Sequence, residues 1–429
     1  MCNSYVKKTP FIFSQELSYC LAWLPFFLSP FLSSVNTPLL YLSATTLFFA
    51  TGLFAAAWIW NAPTKPQLNT VDIFPYVFLF LCITPTFALL ILNELRSPWH
   101  AFQGTLYLIA AWLVYQMSKE KARHIIASKY FLIIITSAAY LYILFSLLQA
   151  WDMRFFVGDR LFTFWTSQVA SFPGPLMQQN LEGLFLTLTT TIILFHAAKQ
   201  KEIFLFIVSV MPIMGVFLTN SRSSILLLIL ISGLFLFIHR KERFFILALI
   251  SSIAAALFLT VIINSIGIVG ADQLEVNPFN RFATGNLSQR IAIWLMAIQL
   301  AYHHPLFGIG WMNMPAYSVD ASLIVLQNHP NLETAISDIS TGGNMWAHNI
   351  ILQFAMCAGF LGLSAIGMIT LYLLMQLRNI FDGLYKNQAS SLGILLALII
   401  FLHGIVSVSI MSPFFMVLFA FFLASGTVR

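Results

Sequence analysis

The chain has 429 residues, 59% of them hydrophobic and only 8% charged, and Lys plus Arg outnumber Asp plus Glu by 21 to 15, a formal net charge of +6. So few charges cannot cover a water-soluble globule, so the composition excludes a soluble enzyme or binding module and indicates an integral membrane protein. The apolar runs have the length of membrane-crossing helices, about 17–25 residues, and lack the alternation of lipid-facing strands, which argues against a barrel.

In chain order, twelve apolar runs read as spans: 14–34, 38–60, 74–93, 101–117, 129–150, 181–198, 203–219, 224–239, 244–269, 346–378, 388–407 and 411–428. The first follows Lys7 and Lys8 as a signal peptide would, but it is long and has no A-x-A cleavage site, so it reads as a retained span. The run 346–378 would make a helix of about 50 Å, longer than a bilayer core of about 30 Å, and a break near Gly359 is expected. Residues 1–429 thus read as a single polytopic domain. Its two longest connections are 151–180 and 270–345.

Lysines and arginines collect in alternate short loops: Lys119, Lys121 and Arg123; Lys199 and Lys201; Arg240, Lys241 and Arg243; Arg378 and Lys386. These loops are expected to be cytoplasmic, which makes the two long connections periplasmic. The net positive charge is then a topology signal and not a nucleic-acid patch. Cysteines 2, 20, 82 and 357 form no C-x-x-C pair, and neither a disulfide framework nor a zinc site is indicated. No nucleotide-binding glycine motif is present.

The outer side carries arginines without lysines: Arg96, Arg154, Arg160, Arg222, Arg281 and Arg290. Within the large loop, apolar residues 287, 291, 294, 295, 298 and 302 share one helical face, so 287–302 reads as an amphipathic helix on the outer interface. Three polar clusters lie on this side: Asn220-Ser221-Arg222-Ser223-Ser224, Arg290 with Trp294 and the turn HPLFGIGW at 304–311, and His348-Asn349. Two guanidiniums suit a diphosphate, because their planar forks bind phosphoryl oxygens in pairs, and an imidazole can accept or orient a hydroxyl proton. Each signal also has a plainer reading: a lone interfacial arginine anchors lipid headgroups, and a histidine at a helix start is often simply capped or solvated.

The order S-R-S (221–223), R-x-x-x-W (290–294), H-P-x-x-G-x-G (304–310), H-N-x-x-L-Q (348–353) and G-x-x-G-L (359–363) resembles the superfamily of O-antigen ligases, O-antigen polymerases and bacterial O-oligosaccharyltransferases over roughly residues 170–380. The resemblance implies a membrane glycosyltransferase of the GT-C kind, all-α with about twelve transmembrane helices. It would move a glycan from undecaprenyl diphosphate at the periplasmic face of the bacterial inner membrane, using neither metal nor nucleotide cofactor. By the same resemblance Arg222 and Arg290 would hold the diphosphate, and His348 would be the base or positioning group for the acceptor hydroxyl. Family members often carry an acidic residue before the glycine of the last motif, whereas this chain has Met356-Cys357-Ala358-Gly359.

FPGPLMQQNLEGL at 172–184 resembles a G-x-x-x-Q-P-N-x-x-A stretch of pilin-type protein O-oligosaccharyltransferases, with Gln178 and Asn180 at the matching places and Gln179 where proline is usual. With Asn349, these would support the site or contact acceptor and glycan; alternatively, Asn180 is only a helix N-cap. The large C-terminal soluble domain of some relatives is missing, so the shorter pilin-type enzymes are the nearer likeness. The expected acceptor is a Ser or Thr hydroxyl of an exported protein, a pilin. Ligation to lipid A core and O-antigen polymerisation are the alternatives, and a secondary transporter is a distant third, because its midplane site of ionisable residues on broken helices is not found.

Overall fold

The computed structural model describes residues 10–33, 52, 73–119, 121–150, 155–157, 160–162, 176, 178–265, 286–342, 346–386, 388–407 and 412–426. The expected span 38–60, most of the connection 151–180, residues 270–285, and Arg154 and Arg281 lie outside the described residues. Each of the other expected spans contains a helix: α1 (Pro10–Ser33), α2 (Ile73–Ile91), α3 (Pro98–Ser118), α5 (Lys129–Ala150), α6 (Gln179–Gln200), α7 (Ile203–Leu218), α8 (Arg222–Ile238), α9 (Arg243–Ser265), α13 (Ile350–Tyr385), α14 (Ala389–Val406) and α15 (Pro413–Gly426). Between them stand the short α4 (Ala122–Ala127) and, in the large loop, α10 (Asn286–His303), α11 (Met314–Asn328) and α12 (Glu333–Gly342). Among the described residues five helices are long and apolar enough to cross a membrane: Lys129–Leu148, α6, Arg243–Ile263, α13 and α14. The shorter apolar helices include α7, α8 and α15. An antiparallel hairpin pairs Phe155–Val157 with Arg160–Phe162, where the sequence reading has only a loop.

The bundle is built inside out relative to a soluble protein. Helix α6 is central and almost wholly enclosed, yet it is rich in polar groups: Glu182, Thr187, Thr189, Thr190, Thr191 and His196 are all buried. The threonine hydroxyls donate to carbonyls four residues back, so each of these four finds its partner within the helix. Helix α9 is mostly uncovered and shows Leu247, Phe258 and Val261 to the outside. Such a surface suits lipid and would be expelled by water. Helix α1 docks on α15 through aromatic rings, with Phe26 stacked on Phe414 at 4.6 Å and Trp23 at 4.3 Å from Phe421.

Short turns set which helix ends are neighbours. The turns at Lys201, at 239–242 and at Lys386 lie at one end of the bundle, the turn 219–221 at the other. His196 of α6 meets the Ile126 carbonyl of α4, which brings the Lys119, Lys121 and Arg123 segment to the lysine-rich end.

The expected break in the long helix is at Gly359, whose backbone (φ 57°, ψ −139°) is open only to glycine. The helix itself continues to Tyr385, beyond the expected end at 378. The break frees backbone groups, and the turn 304–310 takes them up. Ile309 N–H donates to the Met356 carbonyl (2.9 Å), Gly310 N–H to the Cys357 carbonyl (3.0 Å), and Phe360 N–H to the Pro305 carbonyl (2.7 Å). Trp311 then fills the space beside α2 and α13: fully buried, it donates to the Cys82 carbonyl at 2.6 Å and meets Phe354 edge-on.

Helix α10 forms where expected, but with more apolar surface than one amphipathic face. Ala292, Ile293, Met296, Ala297 and Leu300 are buried, whereas Ile291, Ile298 and Tyr302 of the expected apolar face stay uncovered by protein. The helix packs on α13, α11 and α12 and leaves the second set for the surroundings. Arg96, counted among the outer arginines, is engaged by the loop: it pairs with Asp320 at 2.5 Å and lies 4.2 Å from the centre of the Tyr317 ring.

Candidate active site

Ser221 caps α8: its hydroxyl accepts from the Ser224 amide, and Arg222 is the first helical residue. An N-terminus of this kind leaves amide hydrogens and a positive dipole end facing out, which favours an anion beside Arg222. The side chain of Arg222 is half-buried. The Ser221 hydroxyl donates to Asn180 Oδ1 at 2.9 Å, which joins the starts of α6 and α8. Asn180 is therefore not the N-cap of α6. That place belongs to Gln178, whose side chain makes no capping hydrogen bond and whose carbonyl receives the Leu181 and Glu182 amides.

One residue absent from the sequence reading completes this cluster. His403 of α14 is fully buried, with Nε2 at 2.9 Å from Ser223 Oγ and 3.3 Å from Ser224 Oγ. The signal was present, because a histidine in the otherwise apolar run 388–407 costs free energy in hydrocarbon unless something pairs with it. Three residues further along, the Val406 carbonyl at the end of α14 accepts from Arg290 Nη1 at 3.4 Å.

The H-N-x-x-L-Q segment has its own internal logic. His348 sits at positive φ (48°), an uncommon conformation for a residue with a Cβ, and is held from both sides. Before it, the Ala347 amide donates to Gln353 Oε1 at 2.9 Å; after it, Asn349 caps α13, accepting from the Ile351 and Leu352 amides through Oδ1. Gln353 also donates to Cys357 Sγ, so its amide spans the turn that carries the histidine. Asn349 and Gln353 thus shape the loop, and the imidazole is what the loop presents. Burial drives the His348 pKa down to about 4, and the nearby Arg290 guanidinium pushes in the same direction. The ring is neutral at pH 7, with a lone pair available to accept a hydrogen bond.

Of the expected site residues, Arg290 and His348 are electrostatic neighbours. Arg222 joins them by linkage, through Ser223, His403 and the end of α14. Gln178 and Asn180 lie at the same end of the bundle, at the start of α6, and Asn180 bears on the Arg222 turn through Ser221. The arrangement offers two fixed cations and a neutral acceptor at helix ends, which suits a reaction in which an anionic diphosphate leaves and a hydroxyl attacks. A family model described as O-antigen ligase matches residues 207–367, a segment that contains Arg222, Arg290, His348 and Asn349. No curated protein matches the chain.

Proposed function

We propose that this multi-pass membrane protein transfers a preassembled glycan from undecaprenyl diphosphate to a hydroxyl at the periplasmic face of the inner membrane, a reading supported by the match of residues 207–367 to a family model described as O-antigen ligase. The observation that carries the reading is the proximity of Arg290 to a neutral, half-buried His348 at the end of the bundle where Arg222 opens α8. The acceptor oxygen attacks the anomeric carbon while the bond from that carbon to the diphosphate oxygen breaks. The diphosphate departs with the electron pair, and the forks of Arg222 and Arg290 hold its growing charge. His348 accepts the hydrogen bond of the attacking hydroxyl and orients it; once the new C–O bond makes that oxygen strongly acidic, the proton passes to the ring and from it to water, and because a group of pKa about 4 is a weak general base, positioning is its larger share. Gln178, Asn180 and Asn349 support the loops that carry these groups.

The acceptor we assign is a Ser or Thr hydroxyl of an exported protein, a pilin, on the likeness of the Gln178-Gln179-Asn180 segment to pilin-type transferases. Ligation to lipid A core is the second reading, favoured by the description of the matching family. Purified protein in nanodiscs, given lipid-linked donor and either pilin or lipid A core, separates the two: glycan on pilin serine or threonine supports the first, and glycan on lipid A core alone replaces it with the second. In the same assay His348→Ala should lose about 10²-fold of the transfer at normal abundance. Undiminished transfer by that variant removes His348 from the mechanism.

A further inference from the structure

We propose that His403 is a positioning residue that holds Arg222 and Arg290 in register for the leaving diphosphate, an inference that rests on the transferase reading. Its ring lies in a helix with no other ionisable side chain, is fully enclosed, and faces the polar turn that opens α8. Through Ser223 and Ser224 it grips the first turn of α8, which begins with Arg222. Its own helix ends at Val406, whose carbonyl receives Arg290. One imidazole therefore couples the helix that starts with the first arginine to the helix that ends on the second.

Hydroxyl bookkeeping gives the network a direction. The Ser221 proton is spent on Asn180 Oδ1, so in the 2.9 Å contact between Ser221 and Ser224 the Ser224 hydroxyl must donate. With its proton directed to Ser221 or to the Asn180 carbonyl at 3.5 Å, Ser224 Oγ offers lone pairs to His403, and we assign Nε2–H as the donor to the Ser223–Ser224 pair. A chain of donors runs from His403 through Ser224 and Ser221 to Asn180, and ends on α6. This accounts for Asn180 from inside the protein: it receives the last hydrogen bond of a brace across α14, α8 and α6. Removing the ring leaves buried hydroxyls without their donor and frees the arginine-bearing ends to shift. Misplacement by about 1 Å can cost on the order of a hundredfold in rate.

The test compares His403→Ala and His403→Gln in nanodiscs, with the concentrations of lipid-linked donor and of acceptor varied separately. Undecaprenyl diphosphate without a glycan serves as competitor. We expect His403→Ala to lose about 10–100-fold in kcat/KM for the donor and to weaken competition by undecaprenyl diphosphate, with the KM for acceptor unchanged. His403→Gln, whose amide nitrogen can take the place of Nε2–H, should recover most of that loss. Unchanged donor kinetics in His403→Ala would overturn the proposal. So would a loss spread equally over donor and acceptor that glutamine does not rescue. Wild-type protein that moves no glycan would sink the transferase reading itself. Arg222→Lys and Arg290→Lys run alongside: full activity in both would make the arginines headgroup anchors and overturn the proposal, whereas loss in both beside an unaffected His403→Ala refutes only the role of His403.

Discussion

His348 is a neutral ring next to a permanent cation, and its chemistry follows from that. A solvated histidine is half-protonated near pH 6.5, but burial, seconded by Arg290, moves this one to about 4. Between those values the ring remains an acceptor while an ordinary histidine would already be charged. The acid limb of kcat/KM for transfer is therefore expected near pH 4–5. A limb centred at 6.5 in a pH profile would show that the imidazole is not held neutral. The same scale bears on two residues that the sequence reading left between supporting the site and contacting acceptor or glycan. Asn349 and Asn180 each spend the side-chain oxygen inside the protein, on the α13 cap and on Ser221. Asparagine in a motif does not say whether its amide faces inward or outward, because both directions use the same donors and acceptors.

At the scale of elements, the junction between the turn 304–310 and the broken helix is where backbone rules are strictest. A Cβ on Gly308 (φ 64°) would stand 2.4 Å from the Met356 carbonyl oxygen, and one on Gly359 would stand 2.5 Å from that of Pro305. Gly308→Ala or Gly359→Ala must either strain the backbone, at about 1–3 kcal/mol for the conformation alone, or undock the turn. Gly367 of the same helix has open space around it and is the control. In detergent-solubilised protein, both junction variants should melt well below wild type, while Gly367→Ala stays close to it. Equal melting of Gly308→Ala and Gly367→Ala would mean that the turn does not lock the helix. The Pro and Gly spacing announced a turn and a break, but not that each satisfies the other, since that pairing joins residues about fifty positions apart in sequence.

Across the whole molecule, charge and site lie at opposite ends. Lys199, Lys201, Arg240, Lys241, Arg243 and Lys386 flank one set of helix ends, and the network of Asn180, Ser221 and His403 occupies the other. If the lysine-rich end is cytoplasmic, as the positive-inside rule requires, cysteines placed at the exposed Lys201, Lys241 and Lys386 will react with an impermeant maleimide only from the cytoplasm, and one at the exposed His329 only from outside. Labelling of His329→Cys and Lys241→Cys from the same side would put the site on the wrong face for an exported acceptor. At this scale too, Arg222→Lys and Arg290→Lys should each lose most transfer while remaining inserted, because the ammonium keeps the charge but not the fork; a headgroup anchor would tolerate lysine.

Composition and run length were enough to settle that helices in a membrane make up this chain, because hydrocarbon admits few other structures and punishes every uncovered charge. The order of short motifs singled out Arg222, Arg290 and His348 as candidates, since these residue types are expensive near lipid and stand out against 59% hydrophobic residues. What surrounds them was decided by tertiary structure. That His403 reaches Ser223 across 180 positions, that α6 carries its polar side chains inward, and that α10 buries Ala292 and Met296 and not Ile298 all depend on which helix faces face each other. In a chain apolar on nearly every face, the contrast between greasy and polar sides that marks the inside of a soluble protein is lost. Which face turns inward is then set by close packing and by the pairing of a few buried polar groups, and these form only between segments distant in sequence.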